Sequence, residues 1–238
     1  MHDLRDVVCY HGGLQLKGLM AEPGTTGPHP AVLVMHNALG IGKQVRRQVQ
    51  RLAQIGYVAV ATDMYGGGAA YGNMNDSGAA YSALMNEPSL LRARTVAWHS
   101  HVCGLPNVDR RRTAAIGYCF GGRCVLELAR SGADVKAVVS FHGLLNTSAP
   151  AQLRAINGIV AVYTGARDPY APEADVRAFR DEMTAAEARW QVTVFGDAAH
   201  SFTDPDAAAL NRPDIAYDAL ADRISWAGTL SLLQMQLE

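Results

Sequence analysis

The sequence has little of what marks a nucleic-acid binder, a membrane protein or a disulfide scaffold. Its formal charges nearly cancel, with 21 Lys and Arg against 22 Asp and Glu in 238 residues. A nucleic-acid surface needs a clear basic excess, so that class of partner is not expected. The one dense basic run, Arg110-Arg111-Arg112, sits beside Asp109 ahead of an apolar stretch and reads as the solvated entrance to a strand. No run approaches the roughly 20 apolar residues of a membrane span. Met1-His2-Asp3-Leu4-Arg5-Asp6 has neither the basic nor the apolar region of a signal peptide. Cysteine is scarce: Cys9, Cys103, Cys119 and Cys124 show no CxxC spacing. They are expected to be free thiols in a reducing cytoplasm. Neither an HExxH motif nor a Cys/His cluster occurs, and His99 and His101, two apart on an expected helix, point to different faces, so no metal is expected. Gly66-Gly67-Gly68 is not a GxGxxG opening a helix, so no dinucleotide cofactor is expected either.

What is present is a globular chain, 49% apolar, long enough to bury roughly three-quarters of its unfolded surface. Val7–Tyr10 and Leu14–Leu19 flank the turn His11-Gly12-Gly13 and read as a β-hairpin. Ala31–Met35 is continuously apolar, as in a strand buried on both faces. From there helices and strands alternate. Helices are expected at Val45–Ile55, Leu90–Val102, Phe120–Ser131, about Pro172–Glu187 and near Ile215–Gln236. Strands are expected at Tyr57–Ala61, Thr113–Tyr118, Val135–Phe141, Ile159–Tyr163 and Trp190–Phe195. This alternation implies a mostly parallel, doubly wound sheet with helices on both faces, an α/β class fold in one domain over 1–238. Asp63–Ser89 breaks the rhythm: it is Gly- and Asn-rich with little periodicity, and reads as a lid-like insert or pocket wall rather than a plain surface loop. Met74, Tyr81 and Met85 would give it an apolar side.

The most informative residues are Gly117-Tyr118-Cys119-Phe120-Gly121-Gly122, between an apolar strand and a helical pattern. This is G-x-C-x-G, the cysteine form of the strand–turn–helix nucleophile elbow. A side chain raised on so sharp a turn leaves no room two residues before or after it, hence the glycines. The following helix favours a thiolate, and the Phe120 N–H is placed to serve an oxyanion hole. An elbow needs an acid and then a base, in that chain order. Asp168 follows the strand Ile159–Tyr163, and His200 follows the last strand. The constellation predicts that Cys119 attacks a carbonyl, His200 moves the proton and Asp168 holds the imidazole tautomer. Cys124 reads as core. His142, at a strand end, either lines the pocket or is a satisfied near-core histidine. Arg92 and Arg94 are read either as pocket arginines or as helix-surface charge.

With Gly56-Tyr57-Val58-Ala59, Asp63-Met64-Tyr65-Gly66, Ser140-Phe141-His142-Gly143, Asp168-Pro169 and His200-Ser201-Phe202 added to the elbow, the chain resembles the dienelactone hydrolase family along nearly its whole length. The resemblance implies an α/β-hydrolase fold and cysteine-dependent hydrolysis of a small ester or lactone, without a cofactor. It carries the triad onto Cys119, Asp168 and His200, and the second oxyanion donor onto the Ala38 N–H. Two departures follow. Where the family usually has a Glu that helps activate the thiol, this chain has Asn37, which cannot accept a proton; either His200 alone forms the thiolate, or neighbouring His36 compensates, or the site is tuned to different chemistry. Where substrate-binding relatives carry an Arg, four residues past the catalytic His, this chain has Asp204, which argues for a neutral substrate. His36, Asn37, His142 and Asp204 are therefore the pocket candidates. The alternative reading is a non-catalytic or redox-sensing homologue that binds a small ligand through Cys119. A cytoplasmic monomer or homodimer is expected.

Overall fold

A computed structural model describes residues 3–238, so Met1 and His2 of the N-terminal reading lie outside the described residues. The strands are β1 (Arg5–His11), β2 (Leu14–Ala21), β3 (His29–Met35), β4 (Val58–Thr62), β5 (Val108–Tyr118), β6 (Ala137–Phe141), β7 (Ile159–Gly165) and β8 (Arg189–Phe195). The helices are α1 (Lys43–Gln54), α2 (Met74–Met85), α3 (Pro88–Cys103), α4 (Phe120–Arg130), α5 (Glu173–Ala185) and α6 (Ala219–Leu237). These strands form one sheet in the order β1-β2-β4-β3-β5-β6-β7-β8. The hairpin joins antiparallel through β2 to β4, and every pairing from β4 to β8 is parallel.

The runs that read as doubly buried strands are so. Val58–Thr62 and Ala137–Phe141 are buried throughout, because helices cover both faces. On one face, Val45, Val49 and Leu52 of α1 and Leu232, Leu233 and Leu237 of α6 pack on the sheet. On the other lie Leu91 and Trp98 of α3, Val125 and Leu128 of α4, and Val176 and Phe179 of α5. Each such side chain contributes about 1.5–3 kcal/mol by leaving water. Helix α4 is buried along its length, and its Glu127 and Arg130 are paired while Arg123 donates to Asn146 Oδ1 (2.8 Å). Arg130 bonds Glu127 (3.0 Å) and Glu182 (2.7 Å), and Arg92 bonds Glu127 (2.6 Å). Arg92 is thus a helix–helix tie, and Arg94 donates to the Met64 carbonyl (2.6 Å).

Three local expectations change. Strand β5 begins at Val108, so the arginine run is the exposed part of the strand itself. The 63–89 insert contains α2, capped by the Asn73 side chain on the N–H groups of Asn75 and Asp76. Only Ser77 and Leu84 of α2 are buried, so it has no apolar stripe to betray it. The last helix starts at Ala219 rather than near 215, because Asp218 caps it and the preceding residues run elsewhere.

The topology fixes where chemistry can occur. β3 and β5 are neighbours, with Met35 opposite Gly117. The chain leaves β3 toward α1 on one face and leaves β5 into α4 on the other, which opens a crevice at the carboxyl ends of the two strands.

Candidate active site

Cys119 stands at that crevice with φ +53°, a left-handed conformation unusual for a non-glycine residue. Its N–H donates to the Phe141 carbonyl on β6 (3.0 Å). A Cβ on Gly117 would lie 2.0 Å from the Gly121 carbonyl oxygen, and one on Gly121 only 2.2 Å from that of Met35. The two glycines therefore let the elbow close on itself and on β3, as the spacing predicted.

The acid and base come from the next loops. β7 and β8 pair as far as Gly165 and Phe195. A Cβ on Gly165 would sit 2.1 Å from the Ala198 carbonyl oxygen, so glycine there lets the two loops touch. Asp168 Oδ2 and His200 Nδ1 meet at 2.8 Å with both residues buried. Asp168 Oδ1 accepts the Tyr170 N–H (2.8 Å), which fixes the carboxylate plane. His200 in turn shares a hydrogen bond with the Cys119 sulfur. Burial opposes a charge on either group. Nonetheless the His200 cation and its hydrogen bond hold the Cys119 thiol below its ordinary value, helped by the backbone N–H groups of Phe120 and Ala38. Reciprocally, Cys119 and Asp168 outweigh burial and push His200 up to about 10.

The Ala38 N–H is aimed by its own supports. Met64 N–H donates to His36 Nε2 (3.1 Å), so the ring's proton is assigned to Nδ1, which donates to the Asn37 carbonyl (2.6 Å). Tyr65 OH donates to the Ala38 carbonyl (3.0 Å), and its ring stacks on Phe120 at 5.5 Å. Asn37 Oδ1 accepts the Leu39 N–H (2.9 Å), so this side chain shapes the turn. Asp63, buried, accepts the N–H groups of Lys17, Tyr65, Gly66 and Gly68, and pins the start of the insert beneath this loop.

A cavity of about 460 Å³ opens over Cys119 and His200. Asn37, Ala38 and Leu39 form one side, Gly72–Asn75 and Tyr81 of the insert a second, and Leu144 and Tyr170 part of the floor. The last wall, Ala209, Leu210, Arg212 and Ile215, belongs to the excursion before α6. That excursion is tied to the base: His200 N–H donates to the Asp214 carbonyl (3.1 Å), and Ala216 N–H to that of His200 (3.0 Å). Asp214 also accepts from Tyr170 OH (2.7 Å) and from Arg212 (2.8 Å). A larger hollow of about 930 Å³ lies between α3 and α4. It sits over the Arg92–Glu127–Arg130 pairs, whose charges already satisfy one another, and includes none of the residues around Cys119.

The structure brings together Cys119, Asp168, His200, Ala38, Phe120 and Asn37. His36, His142 and Asp204 do not line the cavity. His36 is buried under the Ala38 loop, and His142 behind His200 with its Nε2 2.8 Å from Thr203 Oγ1. Asp204 turns toward Arg47 of α1 and Asp222 of α6, where burial raises its pKa, and it accepts the Asp206 N–H (3.1 Å). It therefore cannot screen substrates by charge at the cavity. Met74 and Tyr81, expected on the apolar side of the insert, line the cavity. Tyr170 and Arg212 also line it and carry no signal in the sequence, since nothing in the spacing ties either to His200.

Among the described residues, no helix is long and apolar enough to cross a membrane. A family model described as the dienelactone hydrolase family matches residues 16–237. A Synechocystis protein named "Putative carboxymethylenebutenolidase" is 28% identical over 94% of both chains. The solved structure of P91, a dienelactone hydrolase-like promiscuous phosphotriesterase from metagenomic libraries, superposes with a TM-score of 0.93 at 33% identity over 99% of both chains. A dienelactone hydrolase from Anabaena variabilis, 20% identical, shares the fold at a TM-score of 0.70 over 100% of this chain and 99% of that one.

Proposed function

The chain belongs to the dienelactone hydrolase family, and from that premise we propose that it hydrolyses small, uncharged esters or lactones through a Cys119 acyl-enzyme. The observation that carries the reading is the sulfur's environment: one atom shares a hydrogen bond with His200 and takes the N–H groups of Ala38 and Phe120, while Asp168 grips the far side of His200 at 2.8 Å.

The steps follow from that arrangement. The resting pair is Cys119 thiolate and His200 imidazolium, formed when the thiol proton moves to the ring nitrogen facing it. Sulfur attacks the carbonyl carbon, and the carbonyl oxygen takes the negative charge together with the N–H groups of Ala38 and Phe120. The C–O bond breaks as His200 protonates the leaving alkoxide, which in a lactone stays tethered to the acyl group. His200, now neutral, takes a proton from water; the resulting hydroxide attacks the thioester, sulfur leaves as thiolate, and the acid product departs. Asn37 needs no proton-transfer role, because its side chain is committed to the Leu39 N–H. The 460 Å³ cavity admits a small molecule. Apart from His200, the one cationic residue among the described residues that line it, Arg212, is already bonded to Asp214, which supports an uncharged substrate. In this reading residues 1–238 are one cytoplasmic hydrolase domain, and the 63–89 insert is a pocket wall.

The test is rapid mixing with p-nitrophenyl acetate. Wild type should release a burst of nitrophenolate matching the enzyme concentration, with a thioester mass increment on Cys119; Cys119→Ala should show neither while keeping its melting temperature. A folded Cys119→Ala enzyme with undiminished turnover would exclude the mechanism.

A further inference from the structure

His142 is a residue with no place in the mechanism above, yet it is buried as deeply as Asp168 and His200. It occupies the end of β6 at φ +39°, a backbone that glycine would adopt without strain and that other residues keep only when their surroundings enforce it. What the site gains there is an imidazole, 1% exposed, directly behind the base. Its ring centroid lies 5.2 Å from that of His200 at an interplanar angle of 69°, and 5.1 Å from Phe202 at 84°. On another side of the base, Tyr170 packs at 4.6 Å. The His142 Nε2 and Thr203 Oγ1 share a hydrogen bond of 2.8 Å, and Gln44 of α1 donates to the same hydroxyl (2.9 Å) and to the Thr203 carbonyl (3.2 Å). Thr203 belongs to the loop that carries His200, so His142 cross-links β6 to that loop, with α1 bracing the joint.

We propose that His142 is a positioning residue for the base: with Thr203 it sets the plane of the His200 ring, so that one nitrogen stays on Asp168 and the other on Cys119. This rests on the Cys119–His200 reading and assigns it a further part. The orientation matters because a ring free to rotate would satisfy Asp168 or Cys119 but not both at once. The charge state also suits the role. Burial, and secondarily the neighbouring His200, keep His142 far below the ordinary imidazole value, so an uncharged ring faces the imidazolium. The titratable groups packed on His142 are His200 and Tyr118. Those facing the Cys119–His200 pair are Asp168, Tyr170, Tyr65, Tyr81 and Cys124.

Two substitutions divide the parts. His142→Phe keeps a ring against His200 and loses the hydrogen bond; Thr203→Val keeps His142 and removes its partner. Each is assayed for kcat and KM with p-nitrophenyl acetate, for the pH dependence of Cys119 alkylation by iodoacetamide, and for melting temperature. Each single variant should lower kcat about 10-fold, change KM less than about two-fold, and raise the alkylation midpoint by about half to one pH unit. The double variant should be no worse than the more affected single one, because both remove the same link. Folded variants with wild-type kcat and midpoint would overturn the proposal, as would losses that add in the double variant. Should His142→Phe not fold, Thr203→Val alone decides by the same readouts. Wild type is the control for the parent reading: if its Cys119 alkylates only near the ordinary thiol range, the cysteine mechanism and this proposal fall together.

Discussion

Replacing Asp168 by Asn separates the charge of the acid from its shape. Asn retains an oxygen for the Tyr170 N–H and fills the same volume, but removes a negative charge whose Oδ2 lies 2.8 Å from His200 Nδ1. Asp168 and His200 are each 3% exposed, so water screens little of the interaction. Two unit charges about 4 Å apart interact by about 4 kcal/mol at an effective dielectric near 20. If about 3 kcal/mol of that reaches the imidazolium, His200 gives up its proton roughly two pH units lower, at about 1.4 kcal/mol per unit. Cys119 then loses its counter-ion earlier on the pH scale, and its alkylation midpoint should rise by about one to two pH units. The amide can also donate to Nδ1, which puts the ring proton on the nitrogen facing sulfur, the wrong tautomer for a base. In serine proteases the analogous change lowers kcat by about 10⁴. Here the expectation is a fall of about 10³–10⁴ in kcat for p-nitrophenyl acetate, with the melting temperature within a few degrees of wild type. The measurement pairs stopped-flow hydrolysis with iodoacetamide alkylation across pH 5–10, read by mass spectrometry at Cys119. A folded D168N enzyme with an unmoved alkylation midpoint and near-normal kcat would refute the argument, since the buried charge would then have no hold on His200.

Two further outcomes follow from the same geometry. Gly121→Ala places a Cβ 2.2 Å from the Met35 carbonyl oxygen, backbone against backbone, so β3 and the elbow must part; activity should fall more than about 100-fold with a melting temperature lowered by several degrees, and unchanged kinetics would mean that the elbow tolerates the strain. For pH, the signs are opposite for the two partners. His200, raised to about 10, contributes stability in full below its ordinary value of 6.5 and loses it as pH climbs through about 10. Cys119, lowered from 9.0, contributes above that value and loses its contribution as pH falls through the lowered one. The kcat/KM profile should therefore plateau between an acid limb below pH 9 and an alkaline limb near pH 10, with melting temperature also declining on the alkaline side; an acid limb at the ordinary thiol value of 9.0 contradicts the ion pair.

The elbow was legible because its constraint is local. Gly117 and Gly121 answer to atoms within a few residues or on the neighbouring strand, so spacing alone carries the information. The sheet type was similarly readable: continuous apolar runs alternating with helices admit few arrangements other than a mostly parallel sheet. Helix α2 escaped because its stability comes from an Asn73 cap and neighbouring contacts rather than an apolar stripe.

The sequence by itself determined the fold class, the order of Cys119, Asp168 and His200, and their attachment to strand ends, since each follows from periodicity or a tight turn. Only the tertiary structure decided which loop residues face Cys119. Asp204 and Arg212 both lie on the irregular run after His200, where no repeat fixes side-chain direction. Packing turned Asp204 toward α1 and α6, and brought Arg212 to the cavity wall through its bonds to Asp214. The same long-range packing placed His142 behind the base, because its partner Thr203 is 61 residues away along the chain and is itself held by Gln44 on a separate helix. Directions set by such distant partners are not written in local spacing, whereas the turn that lifts Cys119 is.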